Sequence, residues 1–246
     1  KGHFIDEFPA PAELFARKFG AIAKHTEKLI TYPFHIEGTM KPRFYQQIAV
    51  QKAVEAVANQ QDRILLTLAT GTGKTYIAFQ IVYRLFQAKW NLSNADRRPK
   101  VLFLADRNIL ISQALNQFNP IEKDIKAVNG KEIRKRDGKV PTNANVFFAI
   151  YQAVAENKNR QKDIVLDDEE ADITAYYKQY PANFFDLIII DECHRGSANN
   201  QSSWREILNY FGTAIHLGLT ATPKRDDNGD TYAYFGAPIY EYSLKD

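Results

Sequence analysis

Ile64-Leu65-Leu66-Thr67-Leu68-Ala69-Thr70-Gly71-Thr72-Gly73-Lys74-Thr75 runs from an apolar segment straight into a glycine turn that ends on a lysine and a threonine. A short apolar run closed by glycines reads as a buried strand. A helix is expected to follow, from Lys74 to about Lys89. That order is what a phosphate cradle requires. Glycines let backbone N–H groups turn toward one point and approach an anion closely. The helix that follows adds its positive N-terminal end. Thr70, Gly71, Thr72 and Gly73 would line the cradle, Lys74 would reach the β- and γ-phosphates, and the Thr75 hydroxyl would ligate Mg²⁺. The usual pattern places a glycine at position 68, where this chain has Leu68, while Gly73-Lys74-Thr75 is intact. A chance glycine turn before a helix is the competing reading, and the strand and helix flanks weigh against it.

Working outward, Phe44, Ile48, Val50, Val54 and Val57 recur at helical spacing up to Asn59. Downstream, Val101–Ala105, Val146–Ile150, Leu187–Ile190 and Ile215–Leu219 are further strand candidates, with helices expected over Ile109–Phe118 and Trp204–Phe211. Apolar runs alternating with helices imply βαβ units, hence an α/β fold with a mostly parallel sheet covered on both faces.

The strand run Leu187–Ile190 leads directly into Asp191-Glu192-Cys193-His194. In an open parallel sheet ligands sit at the carboxyl ends of the strands, where the phosphate loop also emerges. Asp191 is then placed to hold Mg²⁺ and Glu192 to orient the attacking water. Taken alone, an acidic strand end could equally be a solvated surface. One cysteine and one nearby histidine make a poor zinc site. Cys193 reads as a small buried residue, and His194 as either a satisfied polar group or a sensor linking the site to a neighbouring lobe.

The bulk numbers set limits. The chain has 246 residues, 45% hydrophobic and 25% charged, with a net charge of +3, which is ordinary globular composition. A small positive charge permits nucleic-acid binding without arguing for it. No apolar run reaches the roughly 18 residues of a membrane span, so no membrane partner is expected. A single cysteine fits a reducing cytoplasm. The first residues lack both a starting Met and a signal-like apolar core, so a piece of a longer chain is expected. Residues 1–40 read as a lead segment that packs on the core or joins an upstream domain, and 41–246 as one ATP-binding domain. Residues 129–145, with Lys131, Arg134, Lys135, Arg136 and Lys139, and residues 157–180, with Tyr176, Tyr177 and Tyr180, read as surface insertions.

These strings resemble the superfamily-two helicases and translocases. Asp191-Glu192-Cys193-His194 resembles their DEAH-type box, Thr220-Ala221-Thr222 their third motif, and Arg43-Phe44-Tyr45-Gln46 the segment whose glutamine reads adenine. The resemblance implies a RecA-like first motor lobe in three layers, with ATP and Mg²⁺ as cofactors and with Gln46 and Arg43 at the adenine. The longer strings Leu66–Thr75, Phe103–Arg107, Ile190–Ser197 and Gly218–Pro223 are most similar to the motor (R) subunit of type I restriction enzymes. So are Ile5–Pro9 and Tyr234–Tyr240. That implies double-stranded DNA, modification (methyltransferase) and specificity subunits, a second RecA-like lobe and an upstream nuclease domain as partners. It also implies that Arg107 touches the DNA backbone. The Lys131–Lys139 cluster would either neutralise phosphates or form a solvated loop. The tyrosines would either stack on bases or pack their segment, packing being preferred. The competing functions are another superfamily-two DNA or RNA helicase, and an ATP-switch module without turnover.

Overall fold

The structure is a computed structural model that describes residues 24–36, 38, 41–105, 117–150, 176–193, 205–222, 225–226 and 229–243. Its helices are α1 (Lys24–Thr31), α2 (Phe44–Ala58), α3 (Lys74–Ala88), α4 (Gly130–Arg134), α5 (205–210) and α6 (Thr231–Phe235). Its strands are β1 (Arg63–Leu68), β2 (Val101–Ala105), β3 (Ile125–Val128), β4 (Val146–Ile150), β5 (Leu187–Asp191), β6 (Ile215–Thr220), β7 (Arg225–Asp226), β8 (Gly229–Asp230) and β9 (Tyr240–Tyr242).

Seven strands form one sheet in the order β3-β4-β2-β5-β6-β1-β9, and every pairing within it is parallel. β7 and β8 form a separate antiparallel pair. The expected α/β fold with a parallel sheet is therefore present.

Strand periodicity explains the layers. Successive side chains point to opposite faces. On one face lie Ile64, Leu66, Val101, Phe103, Val146, Phe148, Leu187, Ile189 and Leu217, covered by α2 and α3 through Val50, Val54, Ile81 and Leu85. On the other lie Leu65, Leu102, Leu104, Phe147, Ile188 and Ile190, covered by Ile207 and Leu208 of α5 with Phe211, Tyr180 and Phe235. Both faces are dry, which is why these strands read as continuous apolar runs rather than alternating ones. Each such fully buried side chain contributes roughly 1.5–3 kcal/mol of transfer free energy.

The five apolar runs became β1, β2, β4, β5 and β6, the last two extended to Asp191 and Thr220. The two edge strands were not predicted. β3 has four residues and β9 three, too few to show a period. Residues 129–145 are a correction. They are more than a loop, because Gly130–Arg134 is helical and Ile133, Val140 and Ala144 are buried in the second face, while Arg134, Lys135 and Lys139 are exposed as a solvated charge run would be. In the lead segment, Leu29 is fully buried, and the Gln80 side chain brackets the backbone of His35, accepting from its N–H at 2.9 Å and donating to its carbonyl at 2.8 Å. Residues 24–36 thus pack on the core. Arg107, His194, and most of the 109–118 helix and of the 157–180 segment lie outside the described residues. Among the described residues no helix is long and apolar enough to cross a membrane.

Candidate nucleotide site at the carboxyl ends of the strands

β5, β6 and β1 are neighbours in the sheet, so the three chemistry-bearing strings leave the same edge side by side. β1 delivers the glycine loop, β5 the carboxylates and β6 the threonine string. Parallel pairing is what brings them together, since it places every carboxyl end at one edge.

The loop is shaped by its own hydrogen bonds. The Thr72 hydroxyl donates to the Ala69 carbonyl at 2.7 Å and the Thr72 N–H to the same oxygen at 3.3 Å. The Ala69 N–H donates to the Tyr242 carbonyl at 3.0 Å, so β9 ties down the loop's first residue. Gly71 and Gly73 have φ of +82° and +83°. At Gly73 a Cβ would also lie 2.8 Å from the Gln46 amide nitrogen, so a side chain there would be strained by the backbone and would press on the Gln46 amide. α3 begins at the next residue, with the Ile77 N–H donating to the Gly73 carbonyl at 3.0 Å.

β5 ends differently. Glu192 follows Asp191 at φ +52°, in the left-handed region, which an L side chain enters at a cost of roughly 1–2 kcal/mol. Two hydrogen bonds hold the turn. The Asp191 carboxylate accepts from the Glu192 N–H at 3.0 Å, and the Cys193 N–H donates to the Leu219 carbonyl of β6 at 3.2 Å. Cys193 is buried as expected. Burial pushes its thiol pKa up, with the Asp191 and Glu192 charges adding to the effect, so it is a packing group rather than a nucleophile.

The turn brings the Glu192 carboxylate to the lysine. Lys74 Nζ lies 3.4 Å from Glu192 Oε1, and also donates to the Leu68 carbonyl at 3.4 Å. The two side chains are only 10% and 12% exposed. Residues 118 positions apart in sequence (192 − 74) therefore face each other in a shielded cleft, where charge interactions exceed those in water. On β6, Thr220 is fully buried and its hydroxyl accepts from the Thr222 N–H at 3.2 Å, which shapes the chain just past that strand.

The side chains of the two residues assigned to adenine meet different partners, although the Arg43 N–H donates to Gln46 Oε1 at 3.0 Å. Gln46 is buried and donates from its amide to the Thr72 carbonyl at 2.8 Å, so it sits on the loop. Arg43 instead donates from its guanidinium to the Tyr45 hydroxyl at 3.3 Å, and the Tyr45 ring stacks on Tyr242 at 4.3 Å and 13°. The Tyr45–Tyr242 stack and the β9 tie were not read from the sequence. Nothing in so short an edge strand announces its partner.

Asp191 and Thr75 offer hard oxygen donors, the type Mg²⁺ takes, and the rest of its shell would come from phosphates and water. Among the described residues no cluster of three or more His, Cys, Asp or Glu could hold a metal alone. Of the tyrosines considered for base stacking, Tyr177 and Tyr180 are buried. Their hydroxyls donate to Glu206 and to the Pro141 carbonyl, each at 2.9 Å, so packing is their role.

The model of the family described as Type III restriction enzyme, res subunit, matches residues 39–225. The chain is 43% identical over 247 residues to the Type I restriction enzyme EcoAI endonuclease subunit of Escherichia coli, covering 98% of this chain and 27% of that protein. A fragment structure described as an HsdR subunit of a type I restriction enzyme from Vibrio vulnificus YJ016 matches with a TM-score of 0.68 and 40% identity, over 98% of this chain and 37% of that one. The UvsW helicase of bacteriophage T4 matches over 89% of this chain and 66% of that one, with a TM-score of 0.54 and 19% identity, a likeness of fold alone. The chain thus spans only about a quarter of the EcoAI subunit's length, at 27%. A parallel sheet that sets a glycine loop and an acidic turn on one edge, and a family match across most of its length, place this chain in the Type III restriction enzyme res-subunit family, among the superfamily-two helicase-like domains.

Proposed function

We propose that the chain is the first motor lobe of a type I restriction enzyme's endonuclease subunit, binding Mg-ATP and coupling its hydrolysis to movement of double-stranded DNA. The observation that carries this reading is the approach of Lys74 to Glu192 at 3.4 Å, between the glycine loop and the end of β5. A triphosphate seated there would meet the loop N–H groups, the Lys74 ammonium and the N-terminus of α3. Thr75 and Asp191 would hold Mg²⁺, which supplies charge neutralisation across the phosphate oxygens. Glu192 would accept a proton from, and orient, the attacking water. Gln46 borders the loop from the α2 side, the side we assign to adenine together with Arg43.

Similarity to endonuclease subunits supports a wider assembly. We place the lobe in a longer cytoplasmic chain with a nuclease domain and a second RecA-like lobe, alongside modification and specificity subunits. The second lobe would supply the arginine that completes the site. This chain alone should then bind ATP and hydrolyse it slowly, with duplex DNA stimulating turnover only when the second lobe is attached. Lys74→Ala should cut that stimulated rate by at least about a hundredfold, as loss of transition-state charge stabilisation does. An unchanged rate in Lys74→Ala would refute the reading. ATP binding without turnover in the two-lobe chain would instead favour a switch.

A further inference from the structure

We propose that Tyr242 is a positioning residue for Lys74: it holds the Leu68–Ala69 peptide from the β9 side, so that the peptide's carbonyl meets the Lys74 ammonium. The proposal rests on the nucleotide-site reading above and names a residue that acts on that site through another.

The Leu68–Ala69 peptide is engaged at both ends. Its N–H, that of Ala69, donates to the Tyr242 carbonyl at 3.0 Å, and its carbonyl, that of Leu68, accepts from Lys74 Nζ at 3.4 Å. A trans peptide is planar, with its C=O and N–H pointing in opposite directions. β1 lies between β6 and β9. Turning the N–H toward β9 therefore turns the carbonyl toward β6, the side on which β5 brings Glu192. That carbonyl lies past the last β6 pairing. β1 pairs with β6 as far as Thr67 opposite Thr220, and with β9 one residue farther, to Leu68 opposite Tyr242. Lys74 Nζ thus stands between two acceptors, the Leu68 carbonyl set by β9 and the Glu192 carboxylate set by β5. An ammonium has three donors, so a third is left for an incoming phosphate. The neutral carbonyl fixes where the ammonium stands without cancelling its charge.

Ring packing is what keeps β9 in place. The strand has three residues and lies at the sheet's edge, where short elements fray. The Tyr242 ring stacks on Tyr45 in the first turn of α2, with centroids 4.3 Å apart and planes 13° from parallel, and Phe44 meets it edge-on at 6.1 Å and 83°. Tyr45 is itself buried. The hold reaches the loop as well as the lysine. The Ala69 carbonyl takes the Thr72 hydroxyl and N–H, so the glycine turn starts from a residue that β9 has fixed.

The test measures ATP affinity by calorimetry on this chain, together with hydrogen exchange at the Ala69 amide by NMR. Tyr242→Ala removes the ring and keeps the backbone carbonyl. Ala69 exchange should then speed up by about tenfold, and the Kd for ATP should rise about fivefold. Tyr242→Phe, which retains the ring, should restore both. Action through the lysine is read from a double-mutant cycle. In a Lys74→Ala background, Tyr242→Ala should leave ATP affinity where Lys74→Ala alone puts it. Equal losses with and without Lys74 would show that Tyr242 acts by another route and overturn the proposal. Unchanged Ala69 exchange or unchanged ATP affinity in Tyr242→Ala would overturn it too. If Tyr242→Ala lowers the number of competent sites, Tyr242→Leu, which fills the ring's place with an apolar side chain, is read in the same way. Loss of sites in both variants would make Tyr242 a structural residue and equally overturn the proposal. ATP bound by Lys74→Ala as by wild type would sink the nucleotide site itself, and the proposal with it.

Discussion

The two ends of the sheet's strands carry opposite kinds of chemistry. At the amino end of β5, Asp186 accepts four hydrogen bonds. Its Oδ1 takes the Leu92 N–H at 3.1 Å and an Arg97 nitrogen at 3.0 Å, and its Oδ2 takes Arg97 at 2.7 Å and the Lys100 N–H at 2.8 Å. At the amino end of β6, His216 is fully buried between the Phe211 carbonyl at 3.1 Å and the Tyr234 hydroxyl at 2.8 Å. A carbonyl can only accept, so Nε2 carries the proton and Nδ1 accepts from Tyr234. At the carboxyl ends of the same strands stand a residue at positive φ and an ammonium set beside a carboxylate. The amino edge closes its polar groups on one another, which stabilises the sheet. The carboxyl edge keeps strained backbone and paired charges that an incoming anion can rearrange, which suits it to chemistry.

Breaking the amino edge should therefore affect folding and spare the site. Removal of a buried acceptor that serves two backbone N–H groups and a guanidinium is expected to be the largest change at neutral pH. Asp186→Ala should cost about 3 kcal/mol in urea unfolding, with ADP affinity unchanged in the folded fraction. A fall in affinity at saturating folding conditions would show that the two edges are coupled.

His216 sharpens the same contrast through pH. Burial, chiefly, with the nearby Arg63 charge, pushes its pKa from the ordinary 6.5 down to about 3. The folded value lies below the unfolded one, so the unfolded chain takes up the proton first. The stability from neutral His216 is then whole above about pH 6.5 and is lost as pH falls toward 3. The loss should reach roughly 2–4 kcal/mol at the acid end. His216→Gln, which keeps a donor and an acceptor but does not titrate there, should flatten that limb in melting temperature against pH. Equal acid slopes for the two proteins would dismiss the idea.

The smallest effect on stability is expected at the carboxyl edge. Glu192→Gly relieves a left-handed glutamate while losing one ion pair and gaining chain entropy in the unfolded state. Stability should change by less than about 1 kcal/mol. Turnover should nevertheless collapse. A melting temperature that drops as far as in Asp186→Ala would mean that the acidic turn is a structural element after all.

The two strings that form the cleft were legible in the sequence. Gly73-Lys74-Thr75 after an apolar run, and Asp191-Glu192 after another, state both halves of the cleft, because a tight glycine turn and strand burial each demand particular residue types in a fixed local order. Gln46 could be linked to the site only by family resemblance, which assigned it to adenine. Its bond to the Thr72 carbonyl depends on how α2 is rotated against the loop, and no local pattern encodes that. The clamp at Asp186 was equally silent, since its partners lie 86 to 94 positions away. Tyr176, Tyr177 and Tyr180 showed only that a tyrosine-rich segment exists, while burial decided that Tyr177 and Tyr180 pack.

The sequence by itself determined the five inner strands β1, β2, β4, β5 and β6, that the sheet is parallel, and which residue types stand at those strands' ends. Those are consequences of short-range order: periodicity, glycine at tight turns, and charge beside apolar runs. Only the tertiary structure decided that β6 lies between β1 and β5, that β9 completes the edge beside the loop, and that Lys74 meets Glu192 across 118 positions. Strand order is settled by how whole faces pack against α2, α3 and α5, a sum of many small contacts that no single stretch of chain contains.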